Sequence, residues 1–283
     1  MITTRFAPSP TGYLHLGHAF SAWIAWRRAR GAGGKFLVRL EDIDPTRCRP
    51  EYAAAALEDL AWLGIDWDGP VRVQSEHLDD YAADLDRLRA TGLLYPCFCS
   101  RTDIQRSVVA AAPHGPDGGP LYPGTCRGMS DAERSARADQ PHAWRLDMAR
   151  ALTVVNLPGL TFEDAGEGTI LANPARFGDV VLARKDTPTS YHLCVTHDDA
   201  LQGVTLVTRG EDLKPATHLH RLLQALLGWP TPVYAHHRLL TDAAGRRLAK
   251  RDRALTLREM RATGVTAEDV RRRLADATGL PAE

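Results

Sequence analysis

The sequence predicts an α/β fold: a sheet interrupted by a small α+β insertion and followed by short helices. Three observations carry this. A strand-like run, Ile2 to Phe6, passes through a Pro/Gly loop into a helical pattern opened by His15-Leu16-Gly17-His18. A second strong strand pattern, Val204 to Thr208, ends on Arg209. Between them composition changes abruptly at Tyr95, where cysteines gather around a Pro/Gly-rich tract.

A chain of 283 residues can hold one large or two modest domains with a real core. Its 44% apolar and 25% charged content is that of a soluble globular protein. No stretch approaches the roughly 20 apolar residues of a membrane span, and no signal-peptide pattern opens the chain, so no membrane association and a cytoplasmic location are expected. Five cysteines, an odd number, argue against a disulfide scaffold. The formal charge is zero, so a polyanion would have to meet a local basic patch, for which Arg238 to Arg273 is the candidate.

In the first unit, Leu16, Phe20 and Trp23 fall on one helical face, and the run stops at Gly31. A strand feeding a helix this way puts the helix N-terminus, with its unpaired amides, at the carboxyl edge of a sheet. That is a phosphate site. His15 and His18 can donate hydrogen bonds to phosphate oxygens there, and Gly17 leaves room for a flat ring. The block Arg5-Phe6-Ala7-Pro8-Ser9-Pro10-Thr11-Gly12-Tyr13-Leu14-His15-Leu16-Gly17-His18 resembles the signature of class I aminoacyl-tRNA synthetases, in the form of the glutamyl branch. The resemblance implies a Rossmann-like catalytic fold, with Arg5, Phe6, Ala7, Pro8 and Ser9 at the L-glutamate site. It also implies His15, Gly17 and His18 at ATP, the two histidines being catalytic.

Lys35 to Leu40 reads as a strand running into the carboxylate-rich Glu41-Asp42-Ile43-Asp44 loop. It is similar to the R-I-E-D-T-D-x-x-R segment of glutamyl-tRNA synthetases, which makes Glu41 the expected ligand of the substrate ammonium. Pro50 opens a helix over Glu51 to Leu63 with Gly64 as its stop, and a second helix is expected over Glu76 to Ala90.

Cys97-Phe98-Cys99, the tract Pro113-His114-Gly115-Pro116-Asp117-Gly118-Gly119-Pro120 and Tyr122…Cys126 follow. Three thiols around a loop with little core suggest a structural zinc site, which needs a fourth ligand. Side-chain chemistry favours His114, since imidazole outcompetes a phenol of pKa about 10. The chain also resembles the glutamyl-queuosine tRNA(Asp) synthetase family, which carries C-x-C…Y-x3-C. That resemblance implies Cys97, Cys99, Tyr122 and Cys126 as the ligands of one Zn2+. Residues 130 to 140 read as helix, and 142 to 148 and 176 to 184 as strands.

Thr189-Ser190-Tyr191-His192, Asp198-Asp199 and the segment from Gln202 through Arg209 to Asp212 come next. Arg209 at a strand end would face the same crevice as Arg5, and two arginines there suit a dicarboxylate. The segment is similar to the family's D-D-x-L-x-G-(I/V)-T-H-V-x-R-G-E-D, which implies glutamate binding by Tyr191 and Arg209. Ala200 and Leu206 stand where the family usually has histidine. His218 to Leu227 reads as an amphipathic helix ending at Gly228. Arg246 to Asp252 resembles the K-L-S-K-R form of the class I K-M-S-K-S loop, with Ala249 replacing its serine and Lys250 kept as the catalytic and ATP-binding lysine. Residues 255 to 276 read as short basic helices.

The resemblance implies halves of a Rossmann-like catalytic domain at 1–95 and 189–240, a zinc-bearing insertion at 96–188, and the K-M-S-K-S-like loop with a truncated helical stem-contact region at 241–283. Only about thirty residues follow Arg251, too few for an anticodon-binding domain. The expected partners are ATP with Mg2+, L-glutamate and tRNA(Asp) bearing queuosine, and the expected protein is a monomer. The alternatives are a truncated glutamyl-tRNA synthetase charging an acceptor end and a non-catalytic RNA-binding module.

Overall fold

A computed structural model describes residues 1–107, 114–116, 118–155, 159–240 and 255–280. Along the chain, β1 (Thr3–Phe6) leads into α1 (Leu16–Gly31), β2 (Lys35–Leu40), α2 (Pro50–Trp62) and β3 (Arg72–Val73). Then come α3 (Leu78–Ala90), β4 (Leu94–Cys97), α4 (Arg101–Ser107), α5 (Asp131–Ser135), β5 (Ala143–Leu146) and α6 (Met148–Val154). The second half runs β6 (Thr161–Asp164), β7 (Gly168–Leu171), β8 (Val181–Ala183), α7 (Tyr191–Leu201), β9 (Leu206–Gly210), α8 (Ala216–Leu227) and β10 (Val233–His237). Helices α9 (Leu257–Ala262) and α10 (Ala267–Thr278) complete it.

Strands β1, β2 and β3 pair in parallel, with Thr3 opposite Lys35 and Leu40 opposite Val73. A second sheet has the order β7-β6-β10-β9, parallel except for the β6–β7 hairpin. The two sheets meet where β1 lies against β9. The Thr3 amide donates to Thr205 Oγ1 (2.9 Å), and the Thr205 amide donates to the Thr3 carbonyl (3.0 Å). The chain therefore fans outward in opposite directions from the β1–β9 seam. That seam is a topological switch point, where α/β sheets open a ligand crevice beyond their strand ends. Strands β4, β5 and β8 form a separate antiparallel sheet.

One core wraps α1. Phe20 and Trp23 are buried against Phe36 and Val38 of β2, Leu60 of α2, and Leu257, Val270 and Leu274 of the C-terminal helices. Each such side chain contributes about 1.5–3 kcal/mol by leaving water. The C-terminal helices are thus amphipathic and docked: Arg258, Arg261, Arg272 and Arg273 stay on the exposed side. Gly34, in the turn between α1 and β2, sits so close to β1 that a Cβ there would lie 2.1 Å from the Ile2 carbonyl oxygen. Any side chain would push the first two strands apart.

Several boundaries move from their sequence expectations. The strand expected at Val204 to Thr208 is Leu206–Gly210, because Gly203 turns the chain with φ 64° and the Val204 amide closes on the Asp199 carbonyl (2.9 Å). The strand expected at 176 to 184 begins instead with a 3-10 turn, Pro174–Phe177. The helix expected at 130 to 140 covers Asp131–Ser135, capped reciprocally by Ser130 and Glu133. Helix α6 and the β6–β7 hairpin had no counterpart in the sequence reading.

Candidate active site at the sheet switch point

Helix α1 begins with an unusual cap. The Gly17 amide donates to His15 Nδ1 (3.1 Å), and the His15 amide donates to His18 Nδ1 (3.2 Å). The two rings stack with centroids 3.8 Å apart. Because each Nδ1 accepts from a backbone amide, the proton of each neutral ring resides on Nε2. The first turn of α1 holds no acidic side chain and its last turn holds Arg28 and Arg30, so the helix dipole favours an anion at the His15 end. The start of α9 is tied to the same place, with the Leu257 amide donating to the Leu14 carbonyl (2.8 Å).

That end opens into a cavity of about 610 Å³. The structure brings to its wall Arg5, Phe6, Ala7, Pro8, Ser9, His15, Gly17, His18, Glu41, Tyr191 and Arg209. Lys250 lies outside the described residues.

The two arginines differ in how they are held. Arg5 Nε lies 2.9 Å from Asp199 Oδ1, and its Nη1 donates to the Thr208 carbonyl (3.1 Å). Arg39, fully buried, bridges Asp199 (2.9 Å), Glu41 (3.3 Å) and Gln202 Oε1 (2.9 Å). Burial works against the Asp199 charge, but Arg5 and Arg39 outweigh it and hold the carboxyl below its ordinary range. Burial has the upper hand at Glu41 and raises its carboxyl above the ordinary range despite Arg39 and Arg5. A ligand ammonium beside Glu41 would supply the missing compensation. Asp198 anchors the outer strand, taking hydrogen bonds from Arg72 Nε (2.7 Å), Gln74 Nε2 (2.8 Å) and the Tyr81 hydroxyl.

Arg209 meets no carboxylate among the described residues. Its Nε donates to His236 Nε2 (3.3 Å), its Nη1 to His220 Nδ1 (3.2 Å) and its Nη2 to Thr217 Oγ1 (2.6 Å). Tyr191, whose hydroxyl burial pushes to higher pKa, stands on the same wall at the start of α7. The sequence reading gave Thr217, His220 and His236 no part. They lie on α8 and β10 with no shared spacing, and nothing local marks them.

Family comparisons place the chain. The model for the class I tRNA synthetases (E and Q), catalytic domain, matches residues 1–276. A glutamyl-Q tRNA(Asp) synthetase of Rhodobacter capsulatus is 52% identical over 279 residues, covering 95% of this chain and 98% of that protein. The chain belongs to this family. Another of the glutamyl-Q tRNA(Asp) synthetases, from Nocardia farcinica, is 46% identical, covering 98% of this chain and 85% of that one. A glutamate tRNA ligase structure from Elizabethkingia meningosepticum superposes with TM-score 0.72 at 27% identity over 93% of this chain. The chain spans 53%, about half, of that ligase's length. The protein is thus a ligase with the class I tRNA synthetase fold. No helix among its described residues is long and apolar enough to cross a membrane.

A second cluster lies at the end of β4. The Sγ atoms of Cys97, Cys99 and Cys126 lie within 4.8 Å of one another, a spacing that could hold a metal ion. The Tyr122 hydroxyl oxygen is 3.4 Å from Cys97 Sγ and 3.5 Å from Cys99 Sγ, and it accepts from the Cys126 amide (2.9 Å). The Arg145 guanidinium stacks 3.9 Å over the Tyr122 ring as a cation–π contact, while burial and the neighbouring thiols push the phenol to higher pKa. His114 bridges to Pro120 across its own loop and is not in the thiol cluster. Three clustered thiols fit the donor preferences of zinc, and the Tyr122 oxygen lies beside two of them. All five cysteines are free.

Proposed function

We propose that the protein activates L-glutamate with ATP, without tRNA, to glutamyl-adenylate and pyrophosphate, and then transfers the glutamate to the queuosine base in the anticodon of tRNA(Asp). The observation that carries the glutamate reading is a single cavity with a carboxylate at one position and a cation without a carboxylate partner at another. Glu41 meets the α-ammonium. Arg209, with Tyr191 and Arg5 beside it, meets the side-chain carboxylate. The names of the relatives support the choice of RNA.

In the first step an oxygen of the glutamate α-carboxylate attacks the α-phosphorus. A P–O bond forms as the bond to pyrophosphate breaks, and pyrophosphate leaves with the electron pair. No general base is required, because the nucleophile is already an anion. The protein contributes position and charge. The Nε2–H groups of His15 and His18 and the N-terminus of α1 stabilise the phosphates. Phe6, Ala7, Pro8 and Ser9 form the floor on which the amino acid lies, and Gly17 admits the adenine ring. Lys250, on sequence grounds, meets the departing pyrophosphate, whose charge the Mg2+ carried with ATP also offsets. In the second step a hydroxyl oxygen of the modified base attacks the acyl carbon, the bond from that carbon to the phosphate oxygen breaks, the hydroxyl proton passes to the departing phosphate or to water, and AMP leaves as the ester forms.

On this reading 1–95 and 189–240 are the catalytic halves, 96–188 the zinc-bearing insertion and 241–283 the loop and stem-contact region. Cys97, Cys99, Tyr122 and Cys126 would hold a structural zinc ion that staples β4 to the loop beyond it. Pyrophosphate exchange into ATP with each amino acid, followed by transfer of labelled glutamate to total tRNA with and without periodate treatment of the modified base, tests the proposal. Exchange should need glutamate alone, and periodate should abolish transfer. Label on a 3′-terminal adenosine would assign a truncated glutamyl-tRNA synthetase instead.

A further inference from the structure

Arg209 is 5% exposed, and burying a guanidinium without a counter-charge is costly. Three of its five N–H donors are engaged among the described residues, all by uncharged acceptors: Thr217 Oγ1, His220 Nδ1 and His236 Nε2. Arg5, which lines the same cavity, is instead neutralised by Asp199. The difference is built in from behind. A guanidinium can only donate, so each ring nitrogen facing it must be a bare acceptor and each ring proton must sit on the far nitrogen. Partners are present to take those protons. His220 Nε2 lies 3.1 Å from His192 Nδ1, and His236 Nδ1 lies 2.7 Å from Asp164 Oδ2. The carboxylate in this network stands one imidazole away from the cation. Burial and the adjacent Arg209 disfavour a proton on His220, and burial outweighs Asp164 in keeping His236 neutral.

We infer that Thr217, His220 and His236 are positioning residues that aim Arg209 into the cavity without cancelling its charge, so that the site demands a carboxylate and discriminates against the isosteric amide. The inference rests on the glutamate reading of the cavity. It assigns the discrimination between glutamate and glutamine to the neutrality of three side chains that touch no substrate. His192 and Asp164 hold the two rings in opposite tautomers.

Asn and Asp are nearly isosteric, so at position 220 they separate an acceptor's shape from its charge. In ATP–pyrophosphate exchange, His220→Ala should raise the glutamate KM about tenfold with a smaller change in kcat, because one buried N–H of Arg209 loses its acceptor. His220→Asn should recover most of that loss. His220→Asp should not, and it should narrow the glutamate-to-glutamine ratio of kcat/KM by about tenfold or more, since its carboxylate pairs with Arg209. Equal behaviour of the Asn and Asp variants, with the ratio unchanged, would overturn the inference. Ring-nitrogen NMR of the unaltered protein tests it without relying on any variant's folding. His220 should be neutral and protonated on Nε2, and His236 neutral and protonated on Nδ1, against Arg209, Arg5, His192, Asp164 and Lys214 as the surrounding charges. An imidazolium at either position, or the same tautomer at both, overturns it. Absence of glutamate-dependent exchange in the unaltered protein would remove the glutamate reading, and the tautomers would still decide the cradle.

Discussion

Arg5 Nε and Asp199 Oδ1, 194 residues apart in sequence, lie 2.9 Å apart and buried. The pair ties β1 to α7, and Arg39 joins it from β2. Removing one side of a buried ion pair leaves an uncompensated charge, which costs about 3–5 kcal/mol. Asp199→Asn should therefore lower the unfolding free energy by about that amount in denaturant titrations. A loss below about 1 kcal/mol, the range of exposed pairs, would show that the pair does not hold α7 to β1.

Arg209 is expected to carry selection of the substrate. Losing a charge-assisted bond to a buried carboxylate costs about 1.5–3 kcal/mol, so Arg209→Ala should weaken glutamate activation roughly ten- to a hundredfold. ATP–pyrophosphate exchange measures it. Exchange in the unaltered protein driven equally well by glutamine would sink the assignment.

Metal analysis of the native protein should return close to one zinc per chain, on the four donors Cys97, Cys99, Tyr122 and Cys126. Cys99→Ser should release it and loosen the β4–β5–β8 sheet while largely sparing the nucleotide fold. Full zinc retention in a Cys126→Ala protein would refute this ligand set.

The C-terminal helices should grip RNA phosphates through their exposed arginines. Binding of tRNA(Asp) should weaken steeply with salt, and replacing Arg272 and Arg273 together by alanine should lower the slope of log affinity against log salt by about 2. Glutamate-dependent exchange without RNA should persist. An unchanged slope would place the RNA elsewhere.

Asp59 of α2 is buried beneath Arg261 of α9, with its two oxygens unequally served: Oδ1 lies 3.5 Å from the guanidinium, and Oδ2 has no hydrogen-bond partner among the described residues. Burial raises its pKa from 3.8 to about 6, more than Arg261 lowers it. Between those values the folded chain binds more protons than the unfolded one, so this group's contribution falls as pH rises through the window. Asp59→Asn should lack that fall. Its stability relative to the unaltered protein should improve from pH 4 to pH 7 in parallel melting curves, and a pH-independent difference would show that Asp59 does not titrate there.

Much was legible in local sequence. The strand–loop–helix at the N-terminus, the extent of β2, and helices expected over 51–63, 76–90 and 218–227, found within two residues at 50–62, 78–90 and 216–227, follow from periodicity, glycine stops and Pro50. These signals act over a few residues, which is why they survive reading in one dimension. The motif residues that line the cavity were visible for the same reason: they occur in contiguous blocks.

Charge compensation was decided only in three dimensions. Arg5 and Arg209 look alike in sequence, each an arginine that follows a threonine near the end of a strand. The fold delivers Asp199 to one and three uncharged acceptors from α8 and β10 to the other. Likewise, side-chain chemistry alone favours His114 beside the thiols while the motif spacing favours Tyr122, and folding leaves the imidazole on its own loop and brings the phenol oxygen to two sulfurs. Coulombic and hydrogen-bond energies depend on which groups become neighbours after the strands are ordered. That order is set by burying the apolar faces of distant segments together, so the partners of a buried charge are known only once the core has closed.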